Sequence, residues 1–383
     1  MRVGIDATNI GIGGGVTHLK EILLNFNLNK NESISKIVVF SSQKVLDQLP
    51  DTEMIEKITF PGLNTKLFQR ILFQLFKFDK EIKKRCDILF SITGDNIGKF
   101  KPIVGMSRNM LLYERQIWKE IKQPKEILRF WINFQKQKRS FNNSEGIIFI
   151  SNYAKGIVSK QLNLESKRVE IIHHGVSPHF KGVIKQQKSI SYYTSENPYK
   201  LLYVSTVHVY KHQWNVIEAI AILRKKGYPI ELNLLGAIIF GPAGKRLTKI
   251  IKKVDPTNTF IHFHGSIPYE EINKYYKNTD GIVFASTCEN MPNILIESMS
   301  SGMPIACSNK QPMPEFLKKN GFYFNSYDIN SIEKAIEQML LNAELRETFA
   351  KNNLEDSLQY SWEKTTYKTF QFIEETYKAY YHV

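Results

Sequence analysis

Three cysteines in 383 residues are too few for a disulfide framework, and Cys86, Cys288 and Cys307 lack the spacing of a zinc site. Their odd number favours a reducing cytoplasm. No apolar run reaches about 18 residues, so no membrane-spanning helix is expected. The first residues, MRVGIDATN, have the pattern of a strand entering a loop and not that of a signal peptide. The dinucleotide fingerprint Gly-x-Gly-x-x-Gly is missing as well. In the loop Gly11-Ile12-Gly13-Gly14-Gly15 the third glycine position is taken by Val16, and no acidic residue ends the next strand, Ile37 to Phe40. A nicotinamide cofactor is therefore not expected. Internal repeats and low-complexity tracts are absent too.

What is present describes a folded chain. Hydrophobic residues at 42% and charged residues at 23% fit a globular protein, and the length suggests two domains. The formal net charge of +15 calls for a partner or a reason. Nucleic acid, an anionic membrane face and an anionic substrate are all open, as is a merely solvated basic surface.

Strand and helix patterns alternate throughout. Arg2 to Asp6 makes a strand, the glycine loop follows, and Val16, Leu19, Ile22, Leu23 and Phe26 recur at helical spacing. Further strands are expected at Lys57 to Phe60, Asp87 to Ser91, Ile103 to Met106, Gly146 to Ile150 and Val169 to Ile172, which makes the first half a doubly wound parallel sheet. Ser177 to Tyr199, with Pro178, Gly182 and Pro198, has the composition of a linker. The alternation then restarts: Leu201 to Val204 is a strand, Ser205 to Tyr210 a loop, and Lys211 opens a helix.

Two helical patterns mix aromatic with basic residues. Thr65 to Lys84 sets Leu67, Phe68, Ile71, Leu72, Leu75 and Phe76 beside Lys66, Arg70, Lys77, Lys80, Lys83 and Lys84. Arg115 to Arg139 sets Trp118, Phe130, Trp131 and Phe134 beside Lys119, Lys122, Lys125, Arg129, Lys136, Lys138 and Arg139. Such faces suit an anionic bilayer surface, where each nearby Lys or Arg contributes roughly 1 kcal/mol. The plainer reading makes the apolar residues core and the lysines a solvated rim. Nucleic acid is not expected, because no recognised module accompanies the charge.

The most informative stretch is FASTCENMPNILIE, Phe284 to Glu297. A buried-looking strand ends in a polar loop that opens, at Pro292, into a helix. Free N–H groups and the positive helix end make such a turn an anion site, most naturally for phosphate. Glu289 lies in the loop, and Glu297 lies one turn into the helix on the face of Asn293. A glutamate there also simply complements the helix dipole. His173-His174-Gly175 could ligate a metal, but no third ligand stands near, and a plain turn explains the glycine.

The Glu-x7-Glu spacing of Glu289 and Glu297, continued through SMSSGMPIACS to Met313-Pro314-Glu315, resembles the group 1 family of retaining glycosyltransferases. The resemblance implies a GT-B fold: two Rossmann-like doubly wound domains facing a cleft, with a C-terminal helix crossing back to the first. It implies residues 1–177 as the acceptor domain, 178–199 as linker, 200–361 as the nucleotide-sugar domain and 362–383 as the returning helix. In that family the first glutamate faces the donor sugar, the second holds the ribose, and the residues between, here Asn293, Ile294 and Leu295, offer N–H groups to the diphosphate. The family's usual E-G-F-G-L wording is E-N-M-P-N here, so the loop glycines are gone. Lys211 matches the family's phosphate lysine, while Ser205-Thr206 replaces its arginine, which places Thr206 beside the donor. Gly14 and Gly15 resemble the loop bordering the donor phosphates and acceptor, and Ile267 lies in the turn expected near the nucleobase. The family's histidine at the end of the Ile103 strand is absent; Arg108 and Asn109 occupy that region and are candidates for a substrate hydroxyl.

The resemblance thus implies a hexosyltransferase acting on a nucleotide-diphosphate sugar. With no Asp-x-Asp element, neither a metal ion nor another cofactor is expected. The expected acceptor is a glycan or lipid-linked molecule of envelope polysaccharide synthesis, and the expected place is the cytoplasm at the inner face of the membrane, on an anionic surface. A nucleotide-sugar epimerase and a catalytically silent membrane-associated scaffold remain alternatives on the same fold.

Overall fold

The computed structural model describes residues 1–11, 13–64, 73–74 and 77–382. Ile12 of the glycine loop lies outside that description, as do Lys66, Leu67, Phe68, Arg70, Ile71, Leu72, Leu75 and Phe76 of the first basic-aromatic pattern. Two compact units are found. One comprises Met1–Arg115, Lys122–Gly175 and Tyr360–Val383, the other Gln116–Ile121 and Val176–Gln359.

The first unit is built on a seven-stranded sheet. Its strands are β1 (Arg2–Asp6), β2 (Lys36–Phe40), β3 (Ile55–Ile58), β4 (Ile88–Ser91), β5 (Ile103–Ser107), β6 (Gly146–Phe149) and β7 (Arg168–Ile171). They run parallel in the order β3-β2-β1-β4-β5-β6-β7. Burial explains the order. Strands β4, β5 and β6 are buried at every residue, as expected of parallel strands covered on both faces. At the edges, Ile-Glu-Lys-Ile and Arg-Val-Glu-Ile leave Glu56, Arg168 and Glu170 exposed. Charged edge residues of this kind discourage pairing with another chain.

The second unit repeats the plan with six parallel strands, β8 (Tyr199–Val204), β9 (Ile230–Leu235), β10 (Ile261–Gly265), β11 (Gly281–Phe284), β12 (Ile305–Ser308) and β13 (Phe322–Phe324). Their order is β10-β9-β8-β11-β12-β13. In each sheet the strand order reverses once, between β1 and β4 and between β8 and β11. At such a reversal the following loops diverge and open a crevice beyond the carboxyl ends of the strands.

The C-terminal helix, Trp362–Tyr381, packs on the first unit. Ser361 caps it by accepting from the Lys364 N–H at 3.2 Å. Trp362 stacks 5.6 Å from both His18 and His174, Phe370 meets Phe26 at 4.8 Å, and Glu375 pairs with Arg168. Residues 178–199, expected as a linker, are instead bound into the second unit. The fully buried Arg346 donates from Nη1 to the Met339 and Leu340 carbonyls and from Nη2 to the Lys188 carbonyl, while Gly182 N–H donates to Ser300.

Several expected boundaries move. The helix expected from Arg115 to Arg139 is two helices, Arg115–Ile121 and Pro124–Asn143, separated by Lys122 at φ 54° and an extended Gln123. Pro124 is the cause: it disfavours the helical conformation in the residue before it, yet fits a first helical turn. Lys211 ends a short 3-10 turn, and the following helix runs Gln213–Lys225, because His212 adopts φ 51° between them. The third strand of the first sheet is Ile55–Ile58, two residues before the expected span, with the Ile37↔Ile55 register set by β2.

Candidate functional site

The glutamate-bearing loop lies where the second sheet reverses. Strands β8 and β11 are neighbours, and the loops that leave their carboxyl ends, 205–212 and 285–292, are joined directly. The Thr287 N–H donates to the Tyr210 carbonyl at 2.9 Å, and a hydrogen bond of 2.9 Å joins His212 Nε2 to Thr287 Oγ1. The His212 imidazole is pushed down to about 4, by burial first and by Arg246 second, so it is neutral and this bond is not an ion pair. A close approach at the adjacent strand end tightens the site further. Gly236 sits at φ 140°, and a Cβ there would come within 2.0 Å of the Ser205 carbonyl oxygen, so only glycine fits.

These connections bring Lys211 and Glu289 together across 78 residues of sequence. Lys211 Nζ forms an ion pair with Glu289 Oε1. Lys211 is 6% exposed, and its ammonium lies 5.1 Å from the centre of the Tyr210 ring and 5.8 Å from that of Phe284. The Tyr203 hydroxyl donates to the Lys211 carbonyl and fixes the backbone. Burial first, and the charge of Glu289 second, raise the Tyr210 phenol above its ordinary range. The result is a mostly aromatic socket around one buried cation and one half-buried carboxylate.

Four residues after Glu289 the helix Asn293–Ser300 begins, with Pro292 as its cap residue. Not all of its first N–H groups point outward. Asn293 donates to the Met291 carbonyl at 3.0 Å and Leu295 to the Pro292 carbonyl at 2.8 Å, whereas Ile294 N–H has no hydrogen bond among the described residues. Glu297 is buried, and its Oε1 accepts from the Tyr269 hydroxyl at 3.2 Å. Burial raises the Glu297 carboxyl to about 8, a shift that the Tyr269 hydrogen bond partly opposes. Tyr269 follows directly on Ser266-Ile267-Pro268, so this bond also ties the loop of half-buried Ile267 to Glu297. Thr206 contributes its backbone, whose carbonyl accepts from Gln213 at 3.0 Å.

The candidates of the first unit follow the carboxyl ends of β1 and β5. Gly13 takes φ 72°, a glycine-favouring conformation, and caps the helix Gly14–Leu24. Arg108 Nη2 donates to the Gly14 carbonyl at 2.8 Å, and the Cβ that Gly15 lacks would lie 3.6 Å from Arg108 Nη1. Asn109 is exposed, and its side chain accepts from Leu111 N–H at 3.0 Å, capping the turn Met110–Leu112. The nearby acids have partners: Asp6 accepts from Thr8 and Asn96, and Asp95 from Asn9 and Thr93. His173 and His174 belong to a ring cluster with His18, Tyr360 and Trp362. Among the described residues no group of three His, Cys, Asp or Glu side chains is placed to hold a metal ion.

Several of these residues carried no signal in the sequence. Thr287, His212 and Tyr269 matter through contacts made across the fold, and nothing in their spacing marks them. His18 shares a helix face with Gly14 and Gly15, but it falls within an ordinary amphipathic pattern.

The architecture is the GT-B fold. The chain is similar over 99% of its length, and 99% of the other's, to sucrose-phosphate synthase from Thermosynechococcus elongatus, at 15% identity and a TM-score of 0.76. It is similar over 99% of its length, and 100% of the other's, to HepE of Anabaena in complex with UDP-glucose, at 17% identity and a TM-score of 0.71. Residues 185–356 match the model of the family described as glycosyl transferases group 1. Among curated proteins it is similar to O-antigen chain mannosyltransferase B of Escherichia coli, 30% identical over 110 residues, 29% of each chain. The chain spans less than a third of the length of the first curated relatives it matches, 29% and 22% of theirs.

Proposed function

We propose that the protein is a retaining glycosyltransferase that moves a hexose from a nucleotide-diphosphate sugar to a glycan or lipid-linked acceptor in envelope polysaccharide synthesis. The observation that carries this reading is the Lys211–Glu289 pair, its lysine buried at the reversal point of the second sheet and its glutamate four residues ahead of a helix mouth. A fixed cation in a dry site stabilises negative charge far better than one in water. In the reaction the bond from the sugar's anomeric carbon to the diphosphate breaks, and a bond from that carbon to the acceptor oxygen forms. The electron pair leaves on the diphosphate, which takes up the acceptor's hydroxyl proton. Lys211 and the Ile294 N–H face the growing charge, Glu289 orients the sugar hydroxyls, and Glu297 holds the ribose. On this reading the charge is met without a metal ion or other cofactor, and retention follows from the family resemblance.

The test is incubation with a panel of nucleotide-sugars and a lipid-linked acceptor. Glycosylated acceptor and free nucleotide are expected, with Glu289→Ala slowing turnover and leaving nucleotide affinity within about threefold. Conversion of the donor to a sugar epimer alone would replace transfer by epimerisation. No turnover with any donor would leave a silent scaffold.

The acceptor side of the proposal includes an anionic membrane surface at the inner face. Among the described residues no helix is long and apolar enough to cross a membrane. The helix Pro124–Asn143 nevertheless exposes Leu128, Trp131 and Ile132 amid Lys125, Arg129, Lys136, Lys138 and Arg139, against the single acid Glu126. The protein is expected to float with anionic vesicles at low salt. Reversing Lys138 and Arg139 to glutamate together with Trp131→Ala should weaken this at least tenfold, since each cation near the surface is worth about 1 kcal/mol. Equal flotation of variant and wild type would remove this helix from the membrane proposal.

A further inference from the structure

We propose that Tyr269 is a positioning residue for Glu297: its hydroxyl holds one carboxylate oxygen and leaves the other for a ribose hydroxyl of the nucleotide-sugar. Every residue concerned lies in the second unit. The Tyr269 hydroxyl donates to Glu297 Oε1 at 3.2 Å, and Oε2 makes no hydrogen bond among the described residues. A phenol carries a single O–H donor, whereas an ionised carboxylate has about four lone-pair sites, so the bond engages one oxygen and spares the other. A lysine or arginine in the same place would offer several donors and compete with a ligand for both. Glutamate has several rotatable bonds, and freezing them when a ligand binds weakens affinity. The Tyr269 bond fixes the carboxylate before the nucleotide arrives. The use of Oε2 for ribose rests on the transferase reading, whereas the pairing itself does not.

Tyr269 is itself held in place. Its ring is 37% exposed, so burial alone does not fix it. It opens the helix Tyr269–Lys277 and meets the ring of Phe180 edge-on, with centroids 5.1 Å apart. Phe180 is fully buried and ends the turn Pro178–Phe180, and the residue before it, His179, donates from Nε2 to the Glu270 carbonyl at 2.9 Å. Two consecutive residues of the segment 178–199 thus grip the first two residues of that helix. A solvated linker would leave the Tyr269 hydroxyl without this support. The pairing also bears on the charge of Glu297. Burial disfavours the carboxylate, and the Tyr269 bond is the one side-chain contact among the described residues that favours it. No lysine, arginine or histidine among them pairs with Glu297. The other titratable group facing it is the phenol of Tyr276, which burial keeps un-ionised and which shares a hydrogen bond of 3.3 Å with Ser298 Oγ.

Two measurements on the full chain test this: thermal melts without ligand from pH 5 to 10, and calorimetric titration with uridine and guanosine diphosphates from pH 7 to 10. The variant is Tyr269→Phe, which keeps the ring against Phe180. In wild type the melting-temperature gap to Glu297→Gln should stop growing near pH 8. In the Tyr269→Phe background it should stop about one pH unit higher, the shift expected when one hydrogen bond to a charged group is lost. Diphosphate affinity should follow the same displaced profile and lie about fivefold below wild type at pH 8. Adding Tyr269→Phe to Glu297→Ala should change affinity by less than about twofold, because the hydroxyl then has no carboxylate to hold. The proposal is overturned if Tyr269→Phe leaves both pH profiles unmoved, or if its effect persists in full in Glu297→Ala, which would make Tyr269 a direct ligand contact. A displaced melting profile with no diphosphate binding to wild type, or with Glu297→Ala binding as wild type does, keeps Tyr269 as the partner of Glu297 while the ribose reading falls.

Discussion

Replacing Lys211 by glutamine is expected to lower kcat about 10²–10³-fold, the loss found when one preorganised donor to a developing charge is removed. The ground state already carries charge on the diphosphate, so KM should rise as well. The larger effect falls on kcat because the leaving group gains a further charge at the transition state. Burial is what gives the lysine this weight, since it is 6% exposed and backed by the Tyr210 and Phe284 rings. A lysine in open solvent would be screened and worth far less. Steady-state kinetics, with nucleotide release as the readout, separates the two parameters. A rise in KM with kcat unchanged would show that Lys211 binds both states equally. Because Lys211 and Glu289 form one ion pair, Lys211→Gln/Glu289→Gln should lose little more than the worse single variant. Additive losses would mean that the two side chains act separately.

The spacing of Glu289 and Glu297 is local and visible in the chain, and the helix mouth between them follows from a strand, a polar loop and Pro292. The contact that gives Glu289 its partner is not local. It depends on β8 and β11 lying side by side and on Thr287 joining their loops, and no sequence periodicity encodes either. The same division runs through the fold. Strands buried on both faces, such as β4 to β6, are legible as continuous apolar runs, whereas the edge strand β3, with its mixed Ile-Glu-Lys-Ile, begins two residues before the span its pattern suggests. Apolar and basic spacing alone makes 115–139 look like one helix, and Pro124 ends that reading. The helix-mouth N–H groups show a finer limit. The family resemblance implies the N–H groups of Asn293, Ile294 and Leu295 alike, but the local turn engages the first and third with the Met291 and Pro292 carbonyls. The returning helix is a mixed case: of Tyr367, Phe370, Ile373 and Tyr377, which recur in helical phase, Phe370 and Ile373 are buried, Tyr377 is half-buried and Tyr367 is exposed.

Nucleotide affinity should rise about tenfold between pH 7 and 9, most steeply below pH 8, and level off above, with Glu297 as the titrating group. Burial holds its carboxyl at about 8 in the folded protein, against 4.5 when exposed. Ribose hydroxyls donate hydrogen bonds, and an ionised carboxylate accepts them best. Below pH 8 the carboxyl must first lose a proton, at about 1.4 kcal/mol per unit. Glu297→Gln removes the titration, so its affinity should be flat with pH, nearly equal to wild type at pH 7 and about tenfold weaker at pH 9. Folding stability should move in the opposite direction. With the folded pKa raised, the native state holds the proton between pH 4.5 and about 8 while the unfolded chain has released it, so stability falls as pH rises through that window and is constant above it. The glutamine variant should therefore melt higher than wild type at pH 8.5, and the gap should close as pH falls toward 4.5. Calorimetric titration with a panel of nucleoside diphosphates from pH 7 to 9, above the second phosphate ionisation, reads the first effect, and thermal melts read the second. An affinity profile that is flat in wild type would show that Glu297 does not hold the ribose, whatever the melting curves do.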